Sequence, residues 1–261
     1  MTQDILRLHH VTRQIGSTQI ICSIDLQVRA GEKLALIGPN GAGKSTLFNL
    51  ISGRDQASSG QIYLHDQLIS GLTPFQIARR GLARSFQTSN IFSDLSVFDN
   101  VSCAVMWSKG IRYNFWRRFS QLRDTHRSAE KILDLIALSD KRDHPAGQLS
   151  YAEQRVLEIG MTVANDAACI LLDEPSAGMS RSETSAVIAL IRKLSEGKTL
   201  LMVEHDMSVV FQLADRIAVM AHGKLIACDT PEKIRDHAQV RKAYLGSRVD
   251  LLAARSEEVV A

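Results

Sequence analysis

The chain has 261 residues, 45% of them hydrophobic and 23% charged, a balance that excludes bulk disorder and allows one large α/β core. Its net charge of +3 is too small to point to nucleic acid by itself, and no apolar run approaches the roughly 20 residues that span a bilayer. Met1-Thr2-Gln3-Asp4 lacks the basic and apolar regions of a secretory leader, and Cys22, Cys103, Cys169 and Cys228 form no C-x-x-C, so a reducing cytoplasm is the expected setting.

In chain order, β-like alternation at 5–8 and 20–28, with a turn near Gly16 and Ser17, predicts an antiparallel sheet. Residues 34–37 are an apolar run ending in a glycine-rich turn, and 45–51 continue with helical spacing, stopped by Gly53. Ser58-Ser59-Gly60 reads as a turn before a strand at 62–64, Thr73-Pro74 opens a helix toward Arg80, and 82–86 reads as a strand. Helical patterns then dominate at 97–107, 125–138 and 150–164, so 88–165 is expected to be a helical subdomain embedded in a single domain of residues 1–261. Strand and helix alternate again at 169–173, 181–194, 199–203 and 206–213, followed by strands near 216–220 and 224–228. That order predicts an α/β fold with a mainly parallel sheet. Residues 247–261 read as a surface helix or a frayed tail.

The spacing G-x-x-x-x-G-K-[ST] falls between a strand and a helix at Gly38-Pro39-Asn40-Gly41-Ala42-Gly43-Lys44-Ser45. Glycines let backbone N–H groups close around phosphate oxygens, and the helix N-terminus adds free donors and a favourable dipole. Lys44 is expected to reach the β- and γ-phosphates of ATP, Ser45 to ligate Mg²⁺, and Thr46 to donate to the α-phosphate. Ile170-Leu171-Leu172-Asp173-Glu174 is an apolar strand delivering two carboxylates at its end. In that position Asp173 suits Mg²⁺ held through water, and Glu174 suits polarising an attacking water.

These residues resemble the ATP-binding cassette family, the nucleotide-binding subunits of ABC transporters. The phosphate loop and the Asp173-Glu174 strand are joined by Gln87 after Arg84-Ser85-Phe86, by Leu149-Ser150-Tyr151-Ala152-Glu153, by Ser176-Ala177-Gly178-Met179-Ser180 and by Val203-Glu204-His205-Asp206. The resemblance spans about residues 5–245 and implies a P-loop NTPase core with a parallel sheet, an N-terminal antiparallel β subdomain and a helical signature subdomain. It implies that Gln87 contacts Mg²⁺ or the attacking water, that His205 hydrogen-bonds the γ-phosphate, and that Ser150 meets the γ-phosphate held by a second subunit. The family's usual signature is L-S-G-G-Q, and L-S-Y-A-E departs from it, with Ala152 adding a methyl where phosphate approaches. The family also stacks adenine on an aromatic residue; here the matching position is Ile15, either an aliphatic base contact that leaves some GTP use open or plain core.

Residues 80–87, 157–161 and 174–179 are similar to the ATPases of branched-chain amino acid importers. The resemblance implies a second ATPase subunit, identical or paralogous, two transmembrane permeases and, indirectly, a periplasmic solute-binding protein. It implies a peripheral position on the cytoplasmic face of the inner membrane, with no nucleic-acid partner. Lys109, Arg112, Arg117, Arg118 and Arg123 interleave with Trp107, Tyr113, Phe115, Trp116 and Phe119, a composition suited to a membrane surface, a permease contact or nucleic acid, with the bilayer beneath a permease preferred, or to a solvated helix with a packed aromatic face. A small-molecule kinase shares the phosphate loop but not the ordered series, and a low-turnover regulatory subunit stays open because of Ala152.

Overall fold

The computed structural model describes residues 3–85, 91–109 and 119–245. In chain order the elements are β1 (Asp4–Ile15), β2 (Thr18–Arg29), β3 (Lys33–Ile37), α1 (Lys44–Ile51), β4 (Ser59–Leu64), β5 (Gln67–Leu68), α2 (Pro74–Ala78), β6 (Leu82–Arg84) and α3 (Val97–Ser108). There follow α4 (Phe119–Leu135), α5 (Tyr151–Ala164), β7 (Cys169–Asp173), α6 (Arg181–Leu194), β8 (Thr199–Val203), α7 (Met207–Leu213), β9 (Arg216–Ala221), β10 (Lys224–Asp229), α8 (Pro231–Asp236) and α9 (Ala238–Leu245). Residues up to Ile77, with those from Leu201 onward, form one compact unit; Ala78–Leu200 forms a second.

The first unit carries an antiparallel sheet in the order β2-β1-β4-β5. Its apolar face is built by Ile5, Leu6, Leu8 and Val11 of β1 and Ile21, Ile24, Leu26 and Val28 of β2, all buried. Ser59 and Gly60, expected in a turn, lie inside β4, with Ser59 paired to Thr12; the turn chemistry was outvoted by cross-strand pairing. β3 is buried from Leu34 through Ile37 and runs parallel to β9, as a strand covered on both faces must be apolar throughout. β9 turns back into antiparallel β10, and the turn between them is tied to β2 by Cys22 N donating to Gly223 O at 2.8 Å.

In the second unit β6 and β7 pair in parallel, with Leu82 opposite Cys169 and Arg84 opposite Leu171. Complete burial pushes the Cys169 thiol up to about 12, so it serves as a small hydrophobe. Helices α3, α4 and α5 form the helical part. Gly160 of α5 lies close to the end of α4: a methyl there would sit 3.5 Å from Ile132 Cγ2 and 2.9 Å from Cδ1 of Ile136, just past the helix. Helix α6 starts with a complete capping box between Ser180 and Glu183 and covers the predicted range 181–194. Helix α4 begins earlier than its expected start at Thr125. Gln87, most of the basic-aromatic stretch and the tail 247–261 lie outside the described residues.

Candidate functional site

In the first unit, β3 runs straight into the phosphate loop, and backbone conformation makes the loop possible. Gly38 has φ 154°, and a Cβ there would lie 2.2 Å from the carbonyl oxygen of Met220 in β9. Gly43 has φ 99° and is the N-cap of α1 with no side-chain hydrogen bond to the helix. A residue with a side-chain cap would occupy donors that a helix otherwise offers to an anion. Lys44 is buried, its Nζ donating to Gly38 O at 2.7 Å and Pro39 O at 3.1 Å, so the ammonium lies over the loop itself. Ser45 is exposed and Thr46 half-buried.

Other expected residues of this unit sit at strand ends. β8 delivers Glu204, buried, and His205, exposed, whose backbone N donates to Glu204 Oε2 at 3.0 Å. Asp206 then caps α7 by accepting from Ser208 N. Ile15 ends β1 at the hairpin tip and is 57% exposed, which rules out the core reading and leaves the aliphatic surface available. Sequence reasoning did not foresee a cavity of about 550 Å³ behind the loop, lined by Pro39, Asn40, Gly41 and Ala42 and by His222 and Lys242.

In the second unit the carboxylate strand ends in a dense polar arrangement. Asp173 Oδ2 accepts from Arg84 Nη2 at 2.9 Å, with both side chains almost fully buried, and Asp173 N donates to Ser85 Oγ at 3.3 Å. Glu174 follows with φ 48°, a left-handed conformation that costs a non-glycine residue about 1–3 kcal/mol and persists only where surroundings hold it. The holding group is Arg155. Its Nη2 donates to the carbonyl oxygens of Asp173 and Glu174, the latter at 3.1 Å, while Nη1 pairs with Glu158 Oε2 at 2.6 Å. Arg155 is 2% exposed. Burying a guanidinium this deeply is tolerable only with a charge partner and filled hydrogen bonds.

Arg155 also lies on the signature helix. Ser150 caps α5, its Oγ accepting from Glu153 N at 3.3 Å while Glu153 Oε2 accepts from Ser150 N at 3.0 Å. The other Glu153 oxygen pairs with Lys141 Nζ, and that hydrogen bond is the main reason its carboxyl is held below the usual range. Ala152 lies in the first turn of α5, where the backbone is helical, so its methyl carries no conformational cost. Tyr151 packs against Gly178, where a Cβ would stand 3.2 Å from Tyr151 Cε1.

The model of the ABC transporter family matches residues 21–177, a span that includes both the loop and the carboxylate strand. The chain belongs to the ABC transporter family. It is an ATP-binding ABC ATPase, and a separate model, described as a branched-chain amino acid ATP-binding cassette transporter, matches 224–250. It is 34% identical to the high-affinity branched-chain amino acid transport ATP-binding protein BraF of Pseudomonas aeruginosa, over 94% of this chain and 99% of that one. It is 35% identical to the corresponding LivG of Escherichia coli, with the same coverage. A solved ATP-binding cassette of an ABC transporter, in its ADP conformation, superposes with a TM-score of 0.81 at 27% identity, covering 94% of this chain and all of that one.

Within this ABC ATPase, Arg84, Ser85 and Arg155 were missed as site-supporting residues. Their signal was adjacency: Arg84 and Ser85 precede Gln87, and Arg155 lies two residues past the signature. Among the described residues no helix is long and apolar enough to cross a membrane.

Proposed function

We propose that this ABC ATPase powers an importer of branched-chain or other amino acids, or of a related small polar solute. The observation that carries the solute class is the match of residues 224–250 to the branched-chain model, supported by the near full-length likeness to BraF and LivG. On this reading the chain works as a pair with an identical or paralogous ATPase, beneath two permeases fed by a periplasmic binding protein. It lies peripherally on the cytoplasmic face of the inner membrane, as one ATPase domain with the helical subdomain 88–165.

Backbone N–H groups from Asn40 to Thr46 hold the phosphates in a loop opened by Gly38 and Pro39, Lys44 balances their charge, and Ile15 supplies an apolar surface for the base. Ser45 and Asp173 have the oxygen donors Mg²⁺ prefers, with Gln87 as a further neutral oxygen, and a bound Mg²⁺ would neutralise charge on the phosphates. Glu174 accepts the proton of the attacking water, and His205 donates to the γ-phosphate. Ser150, Ala152 and the first turn of α5 face the nucleotide held by the partner subunit.

The test is uptake of labelled leucine by cells whose copy of this gene is deleted and then replaced. The native chain is expected to restore uptake. Glu174→Gln is expected to bind ATP normally, hydrolyse it about 100–1000-fold more slowly, and leave uptake unrestored. Leucine uptake that survives the deletion would remove the branched-chain reading of the solute. If the native assembly hydrolysed ATP no faster than the variant, the chain would instead be a nucleotide-binding regulatory subunit, the reading that the Glu153 carboxylate at the signature favours.

A further inference from the structure

Along a strand, neighbouring side chains point to opposite faces, so His9 and His10 should part company. In β1 they do not. Leu8 pairs with Leu26 and Val11 with Ile24, so His9 and His10 together oppose the single residue Asp25 of β2. This is a β-bulge, and it breaks the buried-exposed alternation by leaving both histidines outside. The neighbouring strand is fitted to it, since a Cβ on Gly60 of β4 would lie 2.3 Å from His10 O. His10 itself has φ 48°, and Ser23 on the facing strand has φ 53°. Neither is a glycine, and such strain gathers where a particular side-chain placement is wanted.

The bulge brings three donors together. His9 Nδ1 lies 3.1 Å from Asp25 Oδ1 and His10 Nδ1 lies 3.0 Å from Asp25 Oδ2, with the imidazole centroids 4.5 Å apart. The ligand atoms of all three residues fall within 4.8 Å of one another. Metal–nitrogen and metal–oxygen bonds of about 2.0–2.2 Å place neighbouring ligands roughly 3.0–3.5 Å apart, so these atoms can close on one ion with little movement. Asp25 is anchored by His10 N at 3.0 Å, and Ser23 Oγ lies 3.3 Å from His10 Nδ1. Arg7, the nearby cation on β1, is engaged by Asp66 at 2.7 Å and does not compete for Asp25. The side chains are 63%, 68% and 52% exposed, so water can complete the coordination.

We propose that His9, His10 and Asp25 form a surface site for a divalent transition metal of the Zn²⁺ class. Two imidazoles and one carboxylate select such an ion over Mg²⁺ or Ca²⁺, which take oxygen ligands. This site is built on β1 and β2 and uses none of the residues assigned to ATP.

The test is titration of the untagged, nucleotide-free chain with Co²⁺ and then Zn²⁺. One equivalent is expected, giving the weak visible bands of nitrogen and oxygen ligation, and Cys228→Ser should leave it unchanged. His9→Gln is expected to weaken binding at least tenfold. His10→Gly should abolish it while leaving the thermal midpoint equal or higher, because glycine suits the left-handed backbone at that position. Absence of a stoichiometric equivalent, a thiolate-to-metal charge-transfer band, or binding unchanged in both histidine variants would overturn the proposal.

Discussion

Helices α1 and α5 both begin with backbone N–H groups that have no partner inside the helix, and they are finished in opposite ways. α1 follows Gly43, which brings no capping side chain, and its first residue is Lys44, whose ammonium lies over the loop. α5 follows Ser150, which builds a full capping box with Glu153, itself paired to Lys141. The first start has no side-chain cap, and in the second the box satisfies the N–H groups of Ser150 and Glu153. An anion approaching α5 meets a carboxylate as well as a dipole, so the two starts offer very different welcomes to phosphate. If both helix starts meet phosphate, as proposed, the same motif logic gives a stronger site at α1 than at α5.

The largest effect should come from removing the cation of the first start. Lys44→Ala is expected to weaken ATP binding and slow hydrolysis by at least about 100-fold, measured by nucleotide fluorescence and phosphate release. Retained binding would mean that the glycine backbone suffices alone and would break the contrast. Ser150→Ala removes a cap with no counterpart at α1, and should cost about 1 kcal/mol in denaturant unfolding. No measurable cost would show that α5 is held by its packing rather than by its start.

The smallest effect sharpens the comparison most. Glu153→Gln keeps the capping geometry and deletes the charge, so ATP-driven pairing of subunits is expected to strengthen about two- to threefold at the cost of a small loss of stability at neutral pH. The Glu153 carboxyl is held low by Lys141, so its folded-state value lies below its unfolded one. Its stabilising contribution is therefore present above the unfolded value and lost as pH falls through the lower, folded one. The Gln variant should lose that part of the acid dependence, which a pH series of unfolding midpoints would reveal.

Much of this was legible in the sequence for identifiable reasons. Strand and helix limits were readable where a chemical signal marked them, as Gly53 did after α1, and the range 181–194 read from the alternation agrees with the capping box at Ser180 and Glu183. The phosphate loop was readable because its glycines are fixed by backbone contacts, Gly38 against Met220 O above all. Two short helices, α8 and α9, went unread, although Thr230-Pro231 is a starting signal for the first. The bulge at His9 and His10 was hidden because it depends on register between strands, which no local pattern encodes. Arg155 was hidden for a different reason: an arginine on an amphipathic helix is expected in water, and only the tertiary fold shows it buried beneath a strand end.

That arginine makes the opening of one helix and the exit of one strand parts of a single lever. Its guanidinium grips the carbonyls of Asp173 and Glu174 while its backbone belongs to the second turn of α5. Glu174 has a left-handed backbone that this grip ties to α5, so a shift of α5 along its axis would pull on the backbone that carries the carboxylate. On the proposed pairing, a partner seated at Ser150 would be felt through Arg155 at the backbone of Glu174.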